Sequence, residues 1–255
     1  MILAHPHQHH LAHQQHRDRI SSRRGFLLTI AAGTLALASA MASPAIARSE
    51  QAEKGTAKDA AKDSPANAPL RVVALGDSLT AGYQLPAPQA FPAVLEKALV
   101  ADGLSVTIAN AGVSGDTTSG GLARLDWSVP EGTEAVILEL GANDMLRGVD
   151  PAVTYDALDR IIARLRGRGI PVLLAGMRAA PNLGPDYAAR FEEIFPTLAR
   201  KHDLVLYPFF LDGISGNPSL LLPDGLHPNA QGVEGIVERI LPTVKRFLSS
   251  LPTRP

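Results

Sequence analysis

The chain has 255 residues, of which 45% are hydrophobic, and a formal net charge of −1 at pH 7. This length and this hydrophobic content are sufficient for a globular domain with a substantial core. Because cysteine is absent, disulfides, thiolate zinc sites and a cysteine nucleophile are excluded. No basic stripe interleaved with aromatic residues occurs, which disfavours a nucleic-acid partner. A small molecule is the expected partner.

Residues 1–47 have the organisation of an export signal. A mildly apolar run from Phe26 to Ala42 follows a polar, basic segment, and Ala45-Ile46-Ala47 has the A-x-A form of a cleavage site. The stretch Ser22–Leu27 contains two adjacent arginines and resembles a twin-arginine signal, which implies export by the twin-arginine machinery. The apolar run is short for a membrane span. We therefore expect cleavage, no stable membrane span afterwards, and a periplasmic or secreted mature protein.

Residues 48–69 are predicted to be a flexible linker, because they are rich in Ala, Lys, Glu, Asp and Ser and have no apolar period.

Six of the eight histidines lie at the start of the chain, before the two arginines of the export signal, and we interpret them as a solvated leader without a metal or a catalytic role. The mature chain then contains two imidazoles, those of His202 and His227.

Beyond the linker, short runs rich in Val, Ile and Leu alternate with amphipathic stretches. Strands are predicted at about residues 70–75, 104–109, 134–140, 170–176 and 203–207. The run Ala135–Leu138 lacks in/out alternation, which is typical of strands buried on both faces of a parallel sheet. The pattern predicts one three-layer α/β domain over residues 70–250, with a five-stranded parallel sheet and a closing helix from Ala230 to about Leu248.

Polar clusters follow four of the predicted strands. They lie at residues 76–78, 110–116, 141–144 and 224–228. Ligands of open α/β sheets bind at the carboxyl ends of the strands, so these clusters are expected to converge at one edge.

Ser78 is either a helix cap or a nucleophile, and its own surroundings favour neither. A serine nucleophile needs a base, usually an imidazole oriented by a carboxylate. His202 ends a predicted helix, where the helix dipole explains it. His227 lies in a loop three residues after Asp224, and helix or core packing does not explain it. Asp224 and His227 are therefore the candidate partners of Ser78.

Two further residues fit the donors of an oxyanion hole. Glycine in a loop permits close backbone approach, and asparagine supplies a side-chain N–H, which makes Gly115 and Asn143 candidates. Turn formation explains Gly115 as well, and helix capping explains Asn143 and Asp144. The residues alone leave both interpretations open.

The four blocks G-D-S-L (76–79), G-V-S-G-D-T (112–117), G-A-N-D (141–144) and D-G-L-H-P (224–228) together resemble the ordered signature of the GDSL, or SGNH, hydrolases. Their extended forms resemble the bacterial periplasmic thioesterase I/lysophospholipase/arylesterase group. The resemblance implies a flavodoxin-like α/β/α fold and a serine esterase that hydrolyses aryl esters, acyl thioesters or lysophospholipids through an acyl-serine intermediate, without a metal or an organic cofactor. It implies Ser78 as nucleophile, His227 as base, Asp224 as its orienting carboxylate, and Gly115, Asn143 and the Ser78 N–H as oxyanion donors.

Residues near these blocks are candidates for substrate binding. Met145, Leu146, Pro181 and Leu183 are expected to form an apolar groove that binds the substrate, and ordinary packing at the rim of the sheet is the alternative for them. A carbohydrate O-deacetylase of the same superfamily and a non-catalytic secreted binding module remain alternatives. An α/β-hydrolase elbow is disfavoured because Thr80 stands where the second glycine of G-x-S-x-G belongs, and neither a phosphate-binding P-loop nor H-E-x-x-H occurs.

Overall fold

The computed structural model describes residues 68–252, so the predicted export signal and nearly all of the predicted linker lie outside the described residues. The described chain contains a five-stranded parallel sheet, which confirms the predicted α/β class. The strands, in the order β2-β1-β3-β4-β5, are β1 (Leu70–Gly76), β2 (Val106–Gly112), β3 (Ala135–Glu139), β4 (Val172–Ala175) and β5 (Val205–Tyr207).

The helices cover both faces of this sheet. They are α1 (Ser78–Ala81), α2 (Phe91–Ala101), α3 (Thr118–Ala123), α4 (Leu125–Ser128), α5 (Ala142–Leu146), α6 (Pro151–Gly167), α7 (Pro185–Glu192), α8 (Ile194–His202) and α9 (Ala230–Ser249). Helix α2 packs with α9, whereas α3, α7 and α8 pack with α6. Every residue of β3 and β4 is buried, so successive side chains of these strands are covered on both sides. The result is the predicted three-layer arrangement.

Helix α9 follows from its sequence. The side chain of Asn229 accepts a hydrogen bond from the Gly232 N–H at 3.0 Å and so caps the first turn. Val233, Ile236, Val237, Ile240 and Val244 recur at intervals of three or four residues and form a buried stripe.

Strand β1 lies at the point where the sheet changes its winding direction. Its last residue, Gly76, is in register with Gly112 at the end of β2 and with Glu139 at the end of β3. Three of the four polar clusters therefore begin at neighbouring strand ends, as the sequence predicted. Strand β2 ends three residues later than expected, because Asn110, Ala111 and Gly112 continue the pairing with β1.

Within residues 68–252, no helix has both the length and the apolar character that crossing a membrane requires.

Candidate active site

Ser78 lies in a tight turn between β1 and α1. The preceding Asp77 caps α1, since its Oδ1 accepts a hydrogen bond from the Leu79 N–H at 2.9 Å. A side chain at Gly76 would collide with Thr80 and with the backbone of Glu139, so only glycine permits the close return of the chain. Ser78 is thereby the first residue of a helix at the sheet edge, and its N–H has no acceptor inside that helix.

The structure brings Ser78, His227 and Asp224 into one hydrogen-bonded chain. The Nε2 atom of His227 lies 2.9 Å from the Oγ of Ser78, and its Nδ1 lies 2.7 Å from the Oδ2 of Asp224. Ser78 and His227 are separated by 149 positions in sequence, so the fold alone creates this contact. A carboxylate on Nδ1 leaves Nε2 as the acceptor for the serine proton.

The surroundings of Asp224 favour its charged form. Partial burial by itself raises the pKa of its carboxyl, but hydrogen bonds from the backbone N–H groups of His227 and Leu226 and from the imidazole outweigh burial and lower the pKa to about 2. Both backbone bonds end on Oδ1, at 3.0 and 2.9 Å, which leaves Oδ2 for His227. The carboxylate is therefore fixed by its own loop.

The ring of Tyr83 packs against the imidazole of His227, with 4.4 Å between the centroids and 37° between the planes. The contact is not evident from the sequence. A tyrosine five residues after Ser78 carries no signal that it contacts a loop beginning at position 224, since the contact depends on the tertiary fold.

The loop that contains Gly115 is tied to the end of β1. The N–H of Val113 donates to the carbonyl of Gly76 at 3.0 Å. Gly115 has a φ of 81°, a left-handed conformation that favours glycine, and its carbonyl accepts a hydrogen bond from the Arg147 guanidinium at 2.6 Å. The loop is thus fastened both to the turn of Ser78 and to the end of α5.

Asn143 lies on α5, and its amide Nδ2 donates to the Oδ2 of Asp77 at 3.1 Å. One of the two amide hydrogens is used in this bond, which leaves the second for another acceptor. The adjacent Asp144 accepts bonds from the N–H and the hydroxyl of Thr118, at 2.8 and 2.6 Å. Asp144 therefore joins α5 to α3, and it does not cap its own helix, since α5 has no side-chain cap.

Arg124 is a second residue that the sequence analysis missed. It is 93% buried, and its guanidinium donates to Asp116 at 2.6 Å, to the Ala111 carbonyl at 2.8 Å and to the Gly76 carbonyl at 2.8 Å. These bonds hold the ends of β1 and β2 together below the candidate oxyanion loop. Hydrophobic patterning does not distinguish a buried arginine of this kind from one on the surface.

Two buried carboxyl groups lie beneath the serine turn. Burial raises the pKa of Asp77 to about 6, against the hydrogen bonds from Leu79 and Asn143. Burial also raises the pKa of Glu139 well above its usual range, and the charge of Asp77 raises it further. Glu139 accepts a bond from the Thr80 hydroxyl at 2.7 Å, while its Oε1 has no hydrogen-bond partner within residues 68–252. Both carboxyl groups therefore hold their protons more tightly than exposed carboxyl groups do.

Next to Ser78 and His227 lies a cavity of about 440 Å³ with a largely apolar wall. The structure places Met145, Leu146 and Pro181 at this wall, whereas Leu183, which ends the 3₁₀ turn Pro181–Leu183, packs against the hydrophobic core. The wall also includes Met177, Ala180, Phe209, Leu211 and Leu226.

His202 is used elsewhere. It ends α8, and its Nε2 lies 2.6 Å from Asp159 on α6, which agrees with a structural role. Among residues 68–252, no group of three or more His, Asp and Glu side chains is arranged to hold a metal ion.

Residues 74–234 match the sequence pattern of the GDSL-like lipase/acylhydrolase family. The chain belongs to this family. It is 38% identical to an arylesterase of Vibrio mimicus over 179 residues, which cover 70% of this chain and 90% of the relative. It is 37% identical to esterase TesA of Pseudomonas aeruginosa over 178 residues, covering 69% and 89%. It is also 38% identical to thioesterase 1/protease 1/lysophospholipase L1 of Escherichia coli K12 over 156 residues, covering 61% and 74%.

Solved structures agree with this assignment. AlinE4, an SGNH-hydrolase family esterase, is 45% identical with a TM-score of 0.60, covering 70% of this chain and 96% of that chain. The structure of TesA is 36% identical with a TM-score of 0.67, covering 69% and 99%. EstA of a Pseudoalteromonas species, solved in a form inhibited by monoethylphosphonate, is 28% identical with a TM-score of 0.67, covering 71% and 100%. The protein is a serine esterase with the SGNH-hydrolase fold.

Proposed function

We propose that Ser78 is the nucleophile of this esterase, His227 its general base and Asp224 the carboxylate that orients the base. The observation that carries the proposal is the continuous chain of hydrogen bonds from Asp224 through His227 to the Oγ of Ser78, with distances of 2.7 and 2.9 Å. A serine hydroxyl becomes nucleophilic when a positioned base removes its proton, and a charged carboxylate stabilises the imidazolium that results.

The proposed reaction has two steps. Ser78 Oγ attacks the ester or thioester carbonyl while His227 takes its proton, and the imidazolium then protonates the departing alcohol or thiol. An acyl group remains on Ser78. His227 next deprotonates a water molecule, which attacks this acyl group and releases the acid, and the returned proton restores the serine. No metal or organic cofactor enters these steps.

The oxyanion of each tetrahedral intermediate is proposed to accept hydrogen bonds from the backbone N–H groups of Ser78 and Gly115 and from the Asn143 amide. The tie between Asp77 and Asn143 supports this assignment, because it uses one amide hydrogen and fixes the direction of the other. The bond from Arg147 to the Gly115 carbonyl and the bond between Val113 and Gly76 hold the loop in place.

Carboxylic esters and thioesters with an apolar acyl chain are the proposed substrates. The apolar cavity beside Ser78 supports this, since its Met, Leu and Pro side chains suit a hydrocarbon chain. The names of the curated relatives favour aryl esters, acyl thioesters and lysophospholipids. A carbohydrate O-deacetylase would need little of this apolar wall, and a binding module would not need the Ser78–His227 contact.

We further propose that residues 1–47 direct export by the twin-arginine route, that residues 48–69 form a linker, and that the catalytic domain spans residues 70–250. The two arginines, the apolar run and the A-x-A site support this proposal. Replacing Arg23 and Arg24 by lysine in the full chain should then keep esterase activity out of the periplasmic fraction. Unchanged export of the lysine variant would contradict it.

Hydrolysis of a series of p-nitrophenyl esters of increasing acyl length tests the function. The mature protein should hydrolyse medium or long acyl chains, and Ser78→Ala should abolish both turnover and labelling by a phosphonate ester while the fold remains intact. Activity confined to acetate would favour the deacetylase. Serine-independent activity, or none, would contradict the proposed mechanism.

A further inference from the structure

The wall of the substrate cavity contains one permanently charged side chain, Arg178. It follows Met177 in the loop after β4, and both residues line the cavity together with Ser78 and His227. No aspartate or glutamate lines the same cavity. A largely apolar cavity thus contains a cation without a lining carboxylate.

The Arg178 guanidinium lies over the ring of Phe209, with its Cζ 4.9 Å from the ring centroid. Phe209 lines the same cavity and is half-buried. A cation held over an aromatic face is attracted by the ring, and this contact leaves the N–H groups at the guanidinium edge available. The stacking therefore fixes where the positive charge lies without using its hydrogen-bond donors.

Within residues 68–252, no carboxylate lies in ion-pair distance of Arg178, and its side chain makes no hydrogen bond there. Arg178 is exposed, and the exposed Arg160 likewise has no such contact, so what distinguishes Arg178 is its place at the cavity. Two other arginines near the candidate site are bound within the protein. Arg124 is paired with Asp116, and Arg147 donates to the Gly115 carbonyl. The planar guanidinium matches the geometry of carboxylate and phosphate groups, to which it donates two parallel hydrogen bonds.

We propose that Arg178 is a specificity-determining residue that binds an anionic group, a carboxylate or a phosphate, on the ester substrate whose acyl chain lies in the apolar cavity. The inference rests on the proposed function, because it needs the cavity beside Ser78 to be the substrate site. Esters that combine an apolar chain with an anion are then preferred over neutral esters of the same length.

Matched pairs of substrates test this preference in kcat/KM. p-Nitrophenyl valerate and p-nitrophenyl hemiglutarate differ in a terminal carboxylate on the acyl side. Monolauroyl glycerol and its phosphate ester differ in a phosphate on the leaving-group side. Arg178→Gln should reduce kcat/KM for the anionic member of at least one pair about fivefold more than for the neutral member, mainly through KM. The pair that responds identifies the source of the anion.

Arg160→Gln is the matched control, because Arg160 is an exposed arginine of α6 and no residue of α6 lines the cavity. In each pair of substrates, Arg160→Gln should leave the ratio of kcat/KM for the anionic member to kcat/KM for the neutral member at the wild-type value. Arg178→Lys should fall between Arg178→Gln and the wild type, and added salt should reduce the preference of the wild type. Identical ratios in the wild type, Arg178→Gln and Arg160→Gln for both pairs would overturn the proposal.

A binding measurement separates this proposal from the proposed function. In Ser78→Ala protein, calorimetry with dodecyl phosphate and with the neutral dodecyl glycerol ether needs no hydrolysis. Adding Arg178→Gln should weaken binding of the phosphate about fivefold and leave the ether unaffected. Equal binding of the phosphate with and without Arg178 would overturn the anion site even if Ser78 proves to be the nucleophile.

Discussion

Asp77 precedes Ser78 in its turn and Asp224 reaches Ser78 through His227, and the pKa values of their carboxyl groups are shifted in opposite directions. The carboxyl of Asp224 is partly open to solvent and accepts hydrogen bonds from two backbone N–H groups and an imidazole, so its pKa falls to about 2. The carboxyl of Asp77 is fully buried, accepts from one backbone N–H and one amide, and has a pKa raised to about 6.

Residue type alone therefore does not determine the pKa of an aspartate at this edge of the sheet. Desolvation opposes the charged form of both groups, and only at Asp224 do the donors outweigh it. Asp224 is therefore suited to stabilise a cationic imidazole in neutral solution, where its carboxyl is charged. Asp77 is suited to hold neighbouring donors, and its charge state changes in mildly acidic solution.

The largest expected effect is that of Asp224→Asn on turnover. The two backbone N–H groups will hold the amide oxygen, so the amide NH2 will face His227 Nδ1 and impose the tautomer in which Nε2 carries the proton. We expect kcat to fall on the order of a thousandfold or more. Asp126→Asn, on an exposed face of α4, is the control and should leave steady-state kinetics unchanged. A loss of less than about tenfold would exclude Asp224 as the orienting group.

The second effect concerns stability and pH. Folding raises the pKa of Asp77 from 3.8 to about 6, so the folded state holds this proton more tightly than the unfolded state. The stabilisation is complete below about pH 4 and is lost as the pH rises through about 6. The linked change is about 3 kcal/mol in the free energy of unfolding.

Urea unfolding of the wild type and of Asp77→Asn at several pH values measures this contribution of Asp77, as the difference between their free energies of unfolding. Between about pH 4 and about pH 7 the free energy of unfolding of the variant should rise relative to that of the wild type, because asparagine does not ionise. A constant difference across this range would mean that Asp77 has an ordinary pKa in the folded protein.

The fold and the site differ in how far the sequence predicts them. The run Ala135–Leu138 identifies a buried parallel strand because burial on both faces requires continuous apolar residues. The end of β2 was missed because Asn110 and Gly112 pair through their backbones, which hydrophobic patterning does not detect. Ser78, Asp224 and His227 were selected by residue type, and the structure brings them within hydrogen-bond distance.

Contacts between segments that are distant in sequence could not be predicted from hydrophobic pattern or residue type. Asp77 caps α1 through a local bond, but its bond to Asn143 joins positions 66 residues apart, and no local pattern indicates it. The stacking of Arg178 on Phe209 depends on the neighbouring loops after β4 and β5. Leu183 was expected in the groove because it lies in the loop after strand four, and the structure shows it packed against the hydrophobic core.

A third, smaller effect is that of Asp77→Asn on turnover. The single oxygen of asparagine serves either the Leu79 N–H or the Asn143 amide fully, and the other donor then meets an NH2 group. We expect kcat to fall about tenfold with little change in KM, since a misdirected Asn143 weakens transition-state stabilisation more than substrate binding. Asn143→Ala removes the donor itself and should cost on the order of a hundredfold. Wild-type kcat in Asp77→Asn would mean that Asn143 is positioned without Asp77.

The smallest effect is expected at Glu139, whose pKa is raised by burial and by the charge of Asp77. Glu139→Gln preserves size and the acceptor for the Thr80 hydroxyl, so kcat should change less than about twofold and the free energy of unfolding by less than about 1 kcal/mol. Glu139→Ala leaves the buried hydroxyl without this acceptor and opens a cavity, and it should lower the free energy of unfolding by about 2 to 4 kcal/mol. If both substitutions destabilise the protein equally, neither the acceptor for Thr80 nor the filled volume is what Glu139 contributes to stability.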